Sequence, residues 1–476
     1  MAWSVGEKVA SMLLQAGVSI LVLRHLTPSD LGAWGILTAI AAVALIVVDS
    51  GFSQALIRRE NPAPGEYKAA FLFNVRISVA LYLALTLLSP AIARFYAMPS
   101  VAVVAPVFFL LLPINALCVI QNTMLTRQMR FASMSKIVFA SSVVSGVVAV
   151  ALAVSGCGLW SFVGQRVAAM AVRTGLMWRC SDWRPTAPRK RGALRRMAPY
   201  SLSLMATDLI ATLYNKIPQF FLGKLYPSSV LGYFDQAQKL KDLPVASTMQ
   251  SVQAVTFPAL AQIGGQPAKL AESYRQVAMT VAYVMFPVVA GLVAVAGDFF
   301  ELFLGPEWMP TVPYFRVLCL TGLFYPVATV AYNVLKVRSD GRIVVRLEIV
   351  KKAVMTVVFA VTIPRSVTAV VWGLVAIACG ELAINFAATT RFTALTFGRF
   401  LRTLLPVALT TALMYLAVAA VGSRIGEADA WLRLVLKIVA GVTVYWGLSA
   451  AFRLEAYREM VALVRRQTAE RPCGGA

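Results

Sequence analysis

The residues of this 476-residue chain best suited to chemistry are charges set inside long apolar runs. They are Lys8, Asp49, Arg76, Arg166, Arg173, Asp208, Lys216, Asp235, Lys239, Lys241, Asp242, Arg316, Lys351, Lys352 and Glu381. On insertion scales a charged side chain at the centre of a bilayer costs about 2.5–3.5 kcal/mol, so each must face water or a partner. Plain structural explanations absorb some of them. Lys8, Arg173 and Arg316 can snorkel to an interface. Asp235 and Lys239 are four residues apart and can pair on one helix face. Lys351 and Lys352 can sit shallow, near the loop that carries Arg346. Arg76, Arg166, Asp208, Lys216 and Lys239 fit these explanations least. Together with Lys8 they predict a water-filled cavity, biased positive, that accepts an anion. Asp49 and Glu381 are the carboxylates placed to couple an ion.

What is missing narrows the chemistry. The chain has one histidine, His25, and six cysteines without a Cys-x-x-Cys pair, so no metal site is expected. There is no Asp-x-Asp, histidine cluster, Gly-rich phosphate loop or Walker A motif. A nucleophile with its base cannot be assembled around one histidine in a short loop. No cofactor and no catalytic residue are therefore expected. The net charge of +23 could serve nucleic acid, but no soluble element carries a basic face.

The elements that must position these charges are membrane helices. The chain is 59% hydrophobic and 14% charged, against roughly 25% charged in soluble proteins. So little polar surface cannot cover a globule. Runs of about 20 apolar residues cross the hydrocarbon core. They fall at 4–23, 31–51, 69–92, 101–124, 134–155, 159–179, 198–222, 231–261, 273–297, 311–335, 343–363, 367–389, 403–421 and 432–452. The fold class is thus all-α and polytopic, with about fourteen transmembrane helices. In the eighth run the part up to Asp242 is polar, and only the stretch after Pro244 reads as buried. The N-terminus has no charged n-region and no cleavage site, so no removable signal peptide is expected.

The gaps between runs set the orientation. Basic residues concentrate after even-numbered helices, as at Arg58, Arg59 and Lys68, at Arg127, Arg130 and Lys136, and at Arg184 to Arg196. Gaps after odd-numbered helices carry few, among them Arg24, Arg94, Lys224 and Arg433, and 298–307 is acidic. The positive-inside rule then places both termini and the linker in the cytoplasm of a bacterial inner membrane.

An internal repeat organises the helices. Leu26-Thr27-Pro28-Ser29-Asp30-Leu31-Gly32 follows helix one, and Leu225-Tyr226-Pro227-Ser228-Ser229-Val230-Leu231-Gly232 follows helix seven. A weaker echo links 93–99 with 301–306. Both offsets are about 200 residues, or six helices, which predicts two parallel six-helix bundles. The expected divisions are 1–180 for the first bundle, 181–197 for a basic cytoplasmic linker and 198–390 for the second bundle. Two extra helices span 391–452, and 453–476 is a basic cytoplasmic tail. The linker reads first as a solvated topogenic segment, with a phosphate or headgroup contact as its functional alternative.

These features carry a resemblance. Asp49-Ser50-Gly51-Phe52-Ser53-Gln54-Ala55-Leu56-Ile57 follows the Thr-Pro-Ser-Asp-Leu-Gly turn. Then come Trp183-Arg184-Pro185, Leu231-Gly232-Tyr233, Phe257-Pro258-Ala259-Leu260, Leu304-Gly305-Pro306-Glu307-Trp308 and Val337-Arg338-Ser339-Asp340. In this order, over residues 1 to about 400, the chain resembles the Wzx-type flippases for O-antigen or exopolysaccharide. These belong to the multidrug/oligosaccharidyl-lipid/polysaccharide exporter superfamily. The resemblance implies a transporter that moves undecaprenyl-diphosphate-linked oligosaccharide from the cytoplasmic to the periplasmic leaflet by alternating access. It implies as partners that lipid-linked oligosaccharide, membrane lipids, H+ or Na+ as coupling ion, and other polysaccharide-export proteins. A diphosphate brings negative charge that Lys and Arg can hold as charge-assisted donors. Relatives often carry an acidic residue or Asn near Lys216, so a lysine there favours an anion contact over cation coupling. The alternatives are a cation-coupled drug antiporter of the same superfamily, which needs a dominant buried carboxylate, and a polysaccharide polymerase or ligase. The latter predicts a large outside loop with catalytic Arg or His residues, and the longest outside gap is short.

Overall fold

The structure, a computed structural model, describes residues 14–15, 17–186, 188, 192–262, 267–339, 341–393, 395–425 and 429–458. Every regular element among them is helical. Helix α1 ends at residue 23. It is followed by α2 (Pro28–Asp49), α3 (Phe52–Arg58), α4 (Pro64–Phe95), α5 (Pro99–Phe108) and α6 (Leu111–Arg127). Next come α7 (Phe131–Val154), α8 (Trp160–Cys180), α9 (Ala193–Leu225), α10 (Ser228–Gln262) and α11 (Pro267–Phe299). The last are α12 (Thr311–Cys319), α13 (Thr321–Arg338), α14 (Gly341–Thr362), α15 (Val367–Thr389), α16 (Phe397–Arg424) and α17 (Ala430–Ala451). A lipid-facing chain must satisfy its backbone internally, and the helix does so within one segment.

Each apolar run from 31–51 onward falls on a helix or on two helices end to end, while most of the run at 4–23 lies outside the described residues. The run at 101–124 is broken between α5 and α6, and the run at 311–335 between α12 and α13. The first break lies just before Pro113, which cannot donate a backbone hydrogen bond. Nine of these stretches are long and apolar enough to cross a membrane by length and composition, among the described residues. Helices α8, α9, α10 and α14 are long as well, but they carry most of the charges named above.

Helix starts follow local chemistry. Thr27 caps α2 reciprocally: its Oγ1 accepts from the Asp30 N–H at 3.2 Å, and Asp30 Oδ2 accepts from the Thr27 N–H at 3.2 Å. Pro28, Pro64 and Pro99 occupy first helical positions, where no donor is needed. Helix α2 ends sharply because Ser50 (φ 49°) and Gly51 (φ 68°) are both left-handed.

The chain forms two compact units, residues 1–235 and 236–476. In the first, α4 packs on α5 and α6, α7 on α8, and α9 on α2. A core of Phe52, Leu56, Tyr67, Phe71, Ile120, Trp183 and Met197 ties α3, α4, α6 and the start of α9 together. Trp183 is thus buried, edge-on to Phe71 at 5.5 Å. The Arg184 guanidinium donates to the carbonyls of Ser181 (2.7 Å), Trp183 (2.9 Å) and Trp178 (3.0 Å). The linker therefore begins as a cap on α8; its residues 187 and 189–191 lie outside the described residues.

Other basic gap residues are also fastened. Arg127 donates to the carbonyls of Leu56 (2.7 Å), Arg59 (2.8 Å) and Glu60 (2.7 Å), satisfying the open end of α3. Buried Glu66 pairs with Arg59 at 2.8 Å. Charged donors to backbone carbonyls contribute about 1.5–3 kcal/mol each, net of exchange with water. Arg127→Ala should therefore lower unfolding stability by about 2–4 kcal/mol. A thermal-unfolding series in detergent checks this, with Arg179→Ala on the neighbouring surface as the near-silent control.

In the second unit α13 packs on α15 and on α11, α11 on α16, and α16 on α17. Asn385 Nδ2 donates to the Ala328 carbonyl at 3.1 Å, joining α15 to α13. Tyr445 Oη donates to the Tyr283 carbonyl at 2.7 Å, joining α17 to α11. Lys437 and Arg433 of α17 both reach Asp298, and Arg433 also reaches Glu301 at 2.8 Å. The acidic gap after α11 is thus an ion-paired anchor for the last helix.

Candidate functional site

The two repeat turns meet inside the first unit. Ser29 and Ser228, counterparts in the repeat, have hydroxyl oxygens 2.6 Å apart. A Cβ on Gly32 would lie 1.9 Å from the Ser228 carbonyl oxygen, and a Cβ on Gly232 would lie 1.9 Å from that of Pro28. A Cβ on Gly35 would meet the Asp235 carboxylate at the same 1.9 Å. The start of α2 thus crosses the start of α10 backbone to backbone, with matching residues from each copy facing one another. Only glycine permits that approach. The Leu-Gly pairs noticed in the sequence are the contact itself.

The charges of the first unit follow from this frame. The left-handed turn at Ser50-Gly51 is pressed on α9, since a Cβ on Gly51 would lie 2.6 Å from the Ser201 carbonyl oxygen. Asp49 heads that turn and accepts a hydrogen bond from the Ser53 hydroxyl. Asp208 stands two turns beyond Ser201 on α9, close enough for the two carboxylates to interact. Arg166 and Arg173 of α8 likewise feel one another's charge. Arg166, Arg76 and Asp208 are exposed in the protein, and Arg173 and Lys216 are half-buried. Arg76, Arg166, Arg173 and Lys216 have no ion-pair partner among the described residues. Lys8 lies outside the described residues.

In the second unit the basic residues are better compensated. Lys351, 8% exposed, donates to Glu348 one helical turn earlier. Its ammonium sits 4.4 Å from the centre of the Tyr332 ring, and Lys336 sits 4.6 Å from the same ring. Glu381 is within electrostatic reach of Lys351 and Lys352. Lys241 pairs with Asp242 at 2.7 Å. Lys239 is exposed on α10. Lys351 is the buried centre of a Glu348–Lys351–Tyr332 cluster beside Glu381.

Sequence reasoning passed over Glu348, Tyr332 and Ser53. Glu348 carried a usable signal, its three-residue spacing from Lys351 on one helix face. Tyr332 carried none, because it comes from another helix. No group of three or more His, Cys, Asp or Glu able to hold a metal occurs among the described residues. His25 Nδ1 instead lies 3.0 Å from the Leu21 carbonyl of its own helix end.

Comparison with known proteins fits this architecture. A family model described as "Polysaccharide biosynthesis protein" matches residues 21–313. The chain is 26% identical over 286 residues to the teichuronic acid biosynthesis protein TuaB of Bacillus subtilis, covering 59% of this chain and 58% of that one. It is 22% identical over 331 residues to the succinoglycan biosynthesis transport protein ExoT of Rhizobium meliloti, covering 69% and 66%. It is 23% identical over 298 residues to the lipopolysaccharide biosynthesis protein WzxC of Escherichia coli, covering 61% and 60%. The matched stretches thus span about three-fifths of these relatives. Among solved structures, the lipid II flippase MurJ in an inward closed conformation superposes with a TM-score of 0.76 at 12% identity, over 97% of this chain and 100% of that one. A multidrug resistance MATE family transporter in an inward-facing conformation gives 0.57 at 17%, over 84% and 95%. These two likenesses concern the fold alone. With the family model spanning more than half its length, this multi-pass helical membrane protein belongs to the polysaccharide biosynthesis protein family.

Proposed function

We propose that the chain is a flippase for undecaprenyl-diphosphate-linked oligosaccharide, moving it from the cytoplasmic to the periplasmic leaflet by alternating access. The observation that carries this reading is the set of uncompensated cations in the first unit, Arg76, Arg166, Arg173 and Lys216. A cation held in a membrane segment without a carboxylate partner needs water or an anion. A diphosphate supplies such an anion, and its lipid tail can stay in the bilayer while the sugar crosses. Lys8 belongs to the same proposed binding set and Asp208 bounds it, and Lys239 of the second unit is proposed as a further substrate-binding residue.

The names of the relatives support a polysaccharide precursor as the cargo. The expected arrangement is fourteen crossings as two six-helix bundles, 1–180 and 198–390, joined by 181–197. The helix pair in 391–452 and the tail from 453 follow, with both termini cytoplasmic in a bacterial inner membrane. Coupling to H+ or Na+ would use Asp49, which shares its surroundings with Asp208, or Glu381, which lies beside two lysines. Two neighbouring carboxylates can hold one cation between them, and Asp49 and Asp208 are the pair proposed for it. That pair also favours a second reading, a cation-coupled drug antiporter.

Depletion in the native cell separates the two readings. A flippase predicts that a lipid-linked glycan accumulates on the cytoplasmic face of the membrane. No accumulation, together with raised sensitivity to cationic drugs, would favour the antiporter.

A further inference from the structure

The second unit contains a basic cavity that the proposed transport path does not use. Two adjoining cavities of about 390 and 420 Å³ open beside the first turns of α11 and α16 and the turn that ends α17. Both are lined by Arg275, Arg402 and Thr403; Arg399 lines one and Arg453 the other. Arg275 is already engaged. It donates to both oxygens of Glu455, at 2.6 and 3.0 Å, and to Glu272 at 2.7 Å. That guanidinium holds the Glu455 carboxyl below the usual carboxylate range. Arg399, Arg402 and Arg453 have no acidic partner among the described residues. Arg402 lines both recesses, with Arg453 beside it in one and Arg399 in the other, and this excess of positive charge calls for an anion.

The surroundings say which kind of anion. The site lies at the first turn of α16, a helix long and apolar enough to cross a membrane, and so at the interface end of that span. Further along α16, Leu401, Leu405 and Leu409 recur every four residues and are 50, 49 and 57% exposed. Such spacing keeps them on one face. Phe452 lines one recess and is exposed as well. The floor is firm: Tyr274 of α11 stacks on Phe400 of α16 at 5.6 Å, with ring planes 15° apart. Arg453 is held at the α17 turn with φ 49°, where the Leu454 N–H bonds back to the Ser449 carbonyl at 3.1 Å. A cationic recess at the interface, with an apolar ridge further along the same helix, matches an amphiphile with an anionic phosphate head and acyl chains.

We infer that this recess is a binding site for an anionic phospholipid, with the phosphate held by Arg399, Arg402 and Arg453 and the chains lying along Leu401, Leu405 and Leu409. It stands independently of what the chain transports. A free phosphate ion shares the head chemistry but has no use for the leucine ridge.

Native mass spectrometry of the full chain in detergent tests this, with dioleoylphosphatidylglycerol, dioleoylphosphatidylcholine and inorganic phosphate as probes. A basic residue near an anionic lipid is worth about fivefold in affinity. Arg399→Gln with Arg402→Gln should therefore weaken phosphatidylglycerol retention about thirtyfold. Arg453→Gln alone should weaken it about fivefold. Arg424→Gln, at the opposite end of α16, should leave it unchanged. Phosphatidylcholine should be retained weakly by every form. Equal phosphatidylglycerol retention in wild type and in both sets of variants would overturn the site. So would displacement of the lipid by equimolar inorganic phosphate, which would mark a free-anion site instead.

Discussion

Oxidising a Ser29→Cys, Ser228→Cys variant should cross-link α2 to α10 and stop transport, and reduction should restore it. The hydroxyl oxygens of this pair are 2.6 Å apart. Sulfur atoms placed there need only a small adjustment to reach the disulfide distance of about 2.05 Å. Around them Gly32 and Gly232 let the two backbones touch, so the contact has no slack. Alternating access requires two arrangements of the same helices, and in one of them a contact this tight has to open. A covalent bond removes that arrangement from the ensemble, so the expected effect is complete loss of transport with full retention of folding. The readout is transport by oxidised and reduced protein, with the single-cysteine variants as controls. Free transport by a fully cross-linked protein would show that the contact is static scaffolding.

Neutralising the uncompensated cations should have the next largest effect. Arg166→Gln and Lys216→Gln each remove one charge with no carboxylate partner among the described residues. A hydrogen bond to a charged group is worth about 1.5–3 kcal/mol, or roughly 10- to 150-fold. Each variant should therefore slow movement of a diphosphate-linked lipid by about that factor while leaving thermal stability unchanged or slightly raised. Stability should not fall, because an unpaired cation in a membrane segment is itself a cost. Lys351→Gln should behave in the opposite way. It breaks the buried contact with Glu348 and Tyr332, so stability should fall before transport does. Purified variants assayed side by side for transport and unfolding temperature distinguish these two classes of lysine and arginine.

Those contrasts show where the sequence was readable. Long apolar runs marked the long helices but not the seven-residue α3, because hydropathy over twenty residues is a local property. The places where helices break were less visible: the gaps between α5 and α6 and between α12 and α13 interrupt runs that read as continuous. Pro28, Ser29 and Gly32 and their second copy were visible as a repeat. That they touch one another could not be read, because contact depends on how α2 crosses α10.

The basic gap residues divide in the same manner. Their number encoded an orientation, but Arg127 and Arg184 also clamp carbonyl groups at the ends of α3 and α8. Nothing local distinguishes a clamp from a solvated arginine. Likewise Asp298 and Glu301 read as an acidic loop, until α17 brings Arg433 and Lys437 against them from more than a hundred residues away. Charge type and depth are local; partners are tertiary.

The central claim is that this chain carries a lipid-linked oligosaccharide across the bilayer using those cations. Purified protein reconstituted in liposomes with undecaprenyl-diphosphate-linked oligosaccharide tests it most directly, with the outward-facing fraction of the glycan read over time by an impermeant glycan-cleaving enzyme. The account predicts movement well above that in protein-free liposomes, abolished by the oxidised Ser29→Cys, Ser228→Cys variant and slowed by Arg166→Gln and Lys216→Gln. Movement no faster than in protein-free liposomes, across the ion gradients tested, would contradict it.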